Sequence, residues 1–181
     1  MGFSDVLRLE DFSVPALAAP KPVTLTGFSF EKQLGTDLCW AAAIANMSPH
    51  VVGRKVTQCE LALALVLGCK WNCQGSAPGI CDKPMLFAAV IACVARVFSK
   101  PPPQRQMNIK ESDFVLAIKV QKTPWAVDIL TGQGRHTEVL YGYYPGSDGL
   151  LEEALVFDPE DESTVTWTAS DLNTRADVYG F

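Results

Sequence analysis

The apolar pattern of the chain changes once, at Pro124, and that change limits the fold more than any other feature. Before it, apolar residues come in helix-length runs closed by Gly and Pro. After it they come in strand-length runs at 125–130, 137–144, 154–157 and 165–167, separated by Gly, Pro, Asn and Asp. Helices first and strands later predict an α+β domain, a helical half packed against an antiparallel sheet half. Residues 177–181 read as one more strand, at the sheet edge.

The helical half divides at its own punctuation. Asp37 is expected to cap a helix whose first turn is Leu38-Cys39-Trp40, and Ser48-Pro49 is expected to end it after Met47. Thr57-Gln58-Cys59-Glu60 is a capping box opening a second helix, which Gly68 closes. Residues 69–84 read as a loop, and Asp82 as the cap of a third helix with its apolar stretch over 85–98. Pro101-Pro102-Pro103 stops that helix and forms a stiff connector, and a short helix follows Ser112-Asp113 to about Lys119. Residues 1–32, with Pro15, Pro20 and Pro22, read as an extended arm with one strand near 23–30, and 33–181 as a single domain.

Composition narrows the function classes. A 48% apolar and 19% charged chain of 181 residues has the material for a core and is not a disordered one. A net charge of −5 without runs of Lys or Arg argues against a nucleic-acid surface. The longest apolar run, 85–95, falls short of the roughly 18 residues that span a bilayer. No basic segment followed by an apolar one marks a secretory signal. The expectation is a soluble monomer, cytoplasmic or exported by another route.

The chemistry concentrates at few positions. A thiol at Cys39, on a helix start, feels the positive end of the helix dipole, which favours thiolate. A cysteine is equally at home as a small buried hydrophobe. Of the two histidines, His50 lies eleven residues beyond Cys39, ~16 Å away along a continuous helix, and is expected to be structural. His136 lies on the second predicted strand, and Asp158 ends the third. Glu138 rivals Asp158 as the acid beside His136: it shares the His136 face of its strand but is displaced along it.

Gln33-x5-Cys39-Trp40, His136-x-x-Val139-x-x-Gly142-Tyr143 and Asp158-Pro159 follow one another in the order of a papain-like thiol hydrolase, and the chain resembles the papain-like cysteine peptidases from Gln33 to Asp158. Cys39-Trp40-Ala41-Ala42, Thr57-Gln58-Cys59-Glu60-Leu61-Ala62 and the cysteine-rich stretch are similar to the compact bacterial branch, which includes avirulence-type effector peptidases. The resemblance implies a papain-like fold with the active site in the cleft between its halves. It implies Cys39 as nucleophile, His136 as base and Asp158 as the group that orients the imidazole. Gln33 is expected to supply an oxyanion donor, and Trp40 and Gly134 to lie beside the substrate. The reaction would be cleavage of a peptide bond in a protein or peptide, without cofactor or metal. The same triad serves deamidation, transglutamination or other acyl transfer, and a papain-like scaffold can also be an inactive binding module.

Cys59, Cys69, Cys73 and Cys81 cluster within 23 residues, which suits two disulfides or a four-cysteine zinc site. Their spacings lack Cys-x2-Cys knuckles, and the cysteine-rich loop of the bacterial relatives favours disulfides. Cys93, inside an apolar helix, is expected to be a buried thiol.

Overall fold

The computed structural model describes residues 20–97, 104–106, 109–132 and 134–180. The proline connector at 101–103 and most of the arm lie outside these residues. In chain order the elements are β1 (Val23–Thr24), α1 (Cys39–Val52), α2 (Gln58–Leu65), α3 (Phe87–Val97) and β2 (Gln104–Gln106). Then come α4 (Glu111–Val115), which runs into a π-helical turn (Leu116–Gln121), β3 (Trp125–Thr131) and β4 (Gly134–Pro145). β5 (Leu151–Asp158), β6 (Ser163–Trp167), α5 (Ala169–Arg175) and β7 (Ala176–Gly180) complete the fold. Helices lead and an antiparallel sheet follows, as the change of pattern at Pro124 predicts.

The sheet runs β2-β7-β3-β4-β5-β6, with β1 added to β4. β4 is its longest strand and pairs with β1, β3 and β5. β1 lies opposite Gly142 and Tyr143, beyond the Trp125–Leu140 pair where β3 stops. Gly142 makes that switch of partners possible, since a β-carbon there would lie 2.8 Å from the Val23 carbonyl oxygen.

α1 is the hub of the helical half. Every residue from Trp40 to Ser48 is buried, as expected of a helix apolar all round. Ala41–Ala45 contributes four alanines and Ile44, and these small side chains let the helix pack closely on β4. Polar side chains on α1 and α2 hold the chain that leads in. Asn46 accepts the Glu31 N–H at 2.7 Å and donates to the Glu31 carbonyl at 3.1 Å. Buried Gln58 donates to the Lys32 carbonyl at 2.7 Å and accepts the Leu34 N–H at 2.8 Å.

Several boundaries differ from expectation, each for a local reason. α1 continues through Pro49 to Val52. A proline withdraws the N–H that would bond the carbonyl four residues back, here that of Ala45. The Ser48 hydroxyl donates to the Ala45 carbonyl instead, at 2.9 Å, and accepts the Val56 N–H at 2.8 Å. The helix then ends on Gly53 in the left-handed region. The Thr57 capping box forms as expected, but α2 stops at Leu65, before Gly68. The strand expected near 23–30 is only two residues long. β7 is not an edge strand: it lies between β2 and β3. β2 and α5 had no forecast, although Thr168 and Asp171 form a capping box at the start of α5. Cys93 is exposed, because it lies on the outward face of an amphipathic α3.

Candidate active site

Cys39 is the first residue of α1, so its backbone N–H and that of Trp40 precede the first intrahelical acceptor. Asp37 does not cap the helix. Leu38 occupies the N-cap position, without a side-chain hydrogen bond to the helix. Asp82, from the cysteine-rich loop, organises the turn instead: its carboxylate accepts the N–H of Thr36 at 2.8 Å and of Asp37 at 2.7 Å. It does not cap α3, which begins five residues later at Phe87. The only signal for this contact in the sequence is Gly35, where a β-carbon would lie 2.6 Å from Asp82 Cγ.

His136 reaches Cys39 from β4, and Asp158 reaches His136 from the end of β5. The three side chains line one cleft of about 830 Å³. His136 Nε2 lies 2.7 Å from Asp158 Oδ1 and donates to it. That leaves Nδ1 free to face Cys39, which lines the same cleft and whose sulfur favours the charged imidazole. Asp158 Oδ1 also accepts the Glu160 N–H at 2.8 Å, which fixes the carboxylate in its turn. The Glu160 carboxylate stands 3.9 Å from His136 Nδ1. Burial disfavours charge on the ring, but the bond to Asp158 and the Cys39 sulfur outweigh it and carry the pKa up to about 10. The imidazole is therefore protonated at neutral pH and lies between the Cys39 sulfur and a carboxylate.

Glu138, two residues along β4, is 4% exposed, and its Oε2 has no hydrogen-bond partner. Burial first, then the Asp158 charge, pushes its pKa up to about 7. Donor atoms of His136, Glu138 and Asp158 lie within 4.8 Å of one another. Two of the donor atoms in this group, His136 Nε2 and Asp158 Oδ1, bond each other.

The remaining expected site residues fall outside the cleft lining. Gln33 does not aim at the cleft: its side-chain nitrogen donates to the Thr36 carbonyl at 3.1 Å, within its own loop. Its backbone N–H donates to the Pro159 carbonyl at 2.8 Å, tying the Cys39 loop to the Asp158 turn. Trp40 is fully buried, and its indole N–H donates to the Lys83 carbonyl at 3.0 Å, so it packs beneath the site and does not face a substrate. Gly134 begins β4 at φ +127°, between the cleft residues Gly132 and Arg135, and does not line the cleft itself. His50 stacks on Phe28, with ring centroids 6.1 Å apart, as suits a structural histidine. Met85, Leu86 and Ile129 give the cleft an apolar wall that the sequence did not mark.

The cysteine cluster forms two disulfides, Cys59–Cys73 and Cys69–Cys81. The second joins α2's exit to the residue before Asp82, so it anchors the support of the Cys39 turn.

No protein-family model matches the chain, and no curated protein matches it in sequence. Its fold does match solved structures. The bromelain protease of Ananas comosus in complex with the E64 inhibitor superposes with a TM-score of 0.50 at 12% identity, covering 89% of this chain and 98% of that one. A recombinant stem bromelain precursor matches at 14% identity and a TM-score of 0.46, over 90% of this chain and 70% of that one. The fold is that of a papain-like cysteine peptidase.

Proposed function

We propose that the protein is a thiol peptidase that cleaves a peptide bond through Cys39, His136 and Asp158. The single observation that carries this reading is the His136–Asp158 hydrogen bond beside Cys39, all three side chains lining one cleft between the helical and sheet halves. Cys39 attacks the substrate carbonyl as a thiolate, with its proton on His136. The first-turn N–H groups of α1 face the developing oxyanion. Gln33 joins them only by giving up its bond to Thr36. His136 then delivers the proton to the departing amine, the C–N bond breaks, and a Cys39 thioester remains. Water, deprotonated by His136, hydrolyses the thioester, the carboxylic acid departs, and the Cys39 thiolate and protonated His136 are restored. Asp158 holds the ring in the tautomer that both steps need.

The test is iodoacetamide labelling of Cys39 between about pH 4 and 9, in the wild type and in His136→Ala, beside cleavage of an unfolded protein with Cys39→Ala as control. Fast labelling well below the free-thiol pKa of about 8.5, lost in His136→Ala, is the expected result. Equal labelling in both proteins that rises only near the free-thiol value would sink the reading. Ammonia release without backbone cleavage would move the assignment to amide hydrolysis or acyl transfer.

A further inference from the structure

We propose that Glu138 is a positioning residue of this site, a neutral carboxylic acid seated behind the His136–Asp158 pair, whose ionisation retunes the imidazolium and shapes the pH dependence of the reaction. The proposal rests on the thiol-peptidase reading for its catalytic consequence, but not for the titration itself.

Side chains two apart on a strand share a face, so Glu138 sits on the His136 side of β4. It is buried, its Oε2 is enclosed without a donor, and its carboxylate lies within 4.8 Å of donor atoms of both Asp158 and His136. Packing alone would favour an apolar residue there, as at Val139 and Leu140, because a buried carboxylate oxygen without a donor is costly. Two carboxyl groups beside one imidazolium do not share the charge equally. Asp158 accepts both the His136 ring N–H and the Glu160 N–H, so the negative charge resides on Asp158. Glu138 accepts neither, and retains its proton up to about neutral pH.

The charged groups around Glu138 come from three elements and a turn. Asp158 at the end of β5 and Asp161 in the following turn oppose its ionisation, while His136 on β4 and Arg175 on α5 favour it. Arg175 also pairs with Asp171 at 3.7 Å and lies over the Trp167 ring. Burial is the largest influence and, with the two aspartates, outweighs the cations. Once ionised, Glu138 gives the imidazolium a second anionic neighbour. The ring then holds its proton more tightly and becomes a weaker acid toward the leaving amine. Raising the pH through neutrality therefore slows acylation while His136 itself stays protonated.

The experiment is a pH titration of the Glu138 carboxyl ¹³C and His136 ring ¹⁵N signals in labelled wild type and Glu138→Gln, with kcat/KM on a peptide amide measured in parallel. The expected result is a Glu138 transition near neutral pH, with a matching step in the His136 signals that Glu138→Gln lacks. A fall in kcat/KM of up to about tenfold should accompany that step in the wild type only. A Glu138 carboxyl that titrates in the ordinary range, or ring curves that coincide in the two proteins, would overturn the proposal. If Glu138→Gln does not fold, the wild-type carboxyl titration decides alone. A neutral Glu138 transition with the ring step, in a protein that cleaves nothing, would retain the electrostatic role and discard the peptidase reading.

Discussion

The Asp82 carboxylate occupies the volume that a side chain on Gly35 would need. The fit lets the carboxylate close on the Thr36 and Asp37 N–H groups and hold the turn before Cys39. Gly35→Ala should push Asp82 aside and release both bonds, and Asp82→Ala should remove them directly. Bonds to a charged acceptor contribute about 1.5–3 kcal/mol each when buried. This pair is exposed, so a combined loss of about 1–2 kcal/mol is expected. Thermal unfolding should show it, together with slower iodoacetamide labelling of Cys39 in both variants. Unchanged labelling would mean that the turn holds without Asp82.

Asp158→Ala should bring the His136 pKa down from about 10, because burial of the ring then acts with less to oppose it. The sign follows from the ion pair: the carboxylate stabilises the charged ring, so its loss shifts deprotonation to lower pH. The alkaline limb of kcat/KM should move to lower pH, and the rate should fall by about 10²–10⁴ as the ring loses its orientation. A limb in the same place in both proteins would remove Asp158 from the site.

Glu138 has a folded-state pKa near 7, raised from an ordinary 4.5. Its contribution to stability is fully present below the unfolded value and is lost as pH rises through the folded one. The loss is on the order of 3 kcal/mol. Glu138→Gln should therefore lose less stability than the wild type between about pH 4.5 and 7, the interval set by those two values. Urea midpoints at the two ends of that interval give the comparison, and parallel pH dependences would contradict it.

The disulfides should matter to reactivity as well as to stability. Cys59–Cys73 and Cys69–Cys81 join residues 14 and 12 apart and overlap in sequence. Closing loops of that size contributes about 3 kcal/mol each. Replacing Cys69 and Cys81 together by serine should lower the unfolding temperature and slow Cys39 labelling, since Asp82 follows directly on that bond. The same change at Cys59 and Cys73 should affect the temperature more than the labelling. Equal labelling losses in the two double variants would argue against a special link to Asp82.

Local patterns carried most of the fold. The four main strands and the Thr57 capping box follow from alternation and end chemistry that short windows contain. The run of α1 through Pro49 does not, because the Ala45 carbonyl is satisfied by a serine whose hydroxyl also holds Val56, and neither partner is visible as a pattern. β2 escaped notice because Gln104-Arg105-Gln106 has no apolar alternation, and its pairing with β7 alone defines it.

The site was legible as an order of residues more than as a geometry. Cys39, His136 and Asp158 could be selected because their order along the chain resembles that of the papain-like peptidases, and the structure brings them into one cleft. The state of Gln33 could not be selected, since its amide bonds the Thr36 carbonyl, a partner that only the folded loop supplies. Asp82 was read as a helix cap because a local role is always available to an aspartate before a helical run. Its real partners lie more than forty residues upstream. Glu138 was weighed only as a rival orienter, since burial, which gives it its character, is a tertiary property.

β3 receives β4 on one side and β7 on the other, and β7 is supplied by residues some forty-five positions further along the chain. Without residues 176–180 one border of β3 has only water for its backbone groups. A chain interrupted before Ala176 would present that open border to other chains. The pairing of β3 on both borders and its protection from other chains thus depend on the same segment.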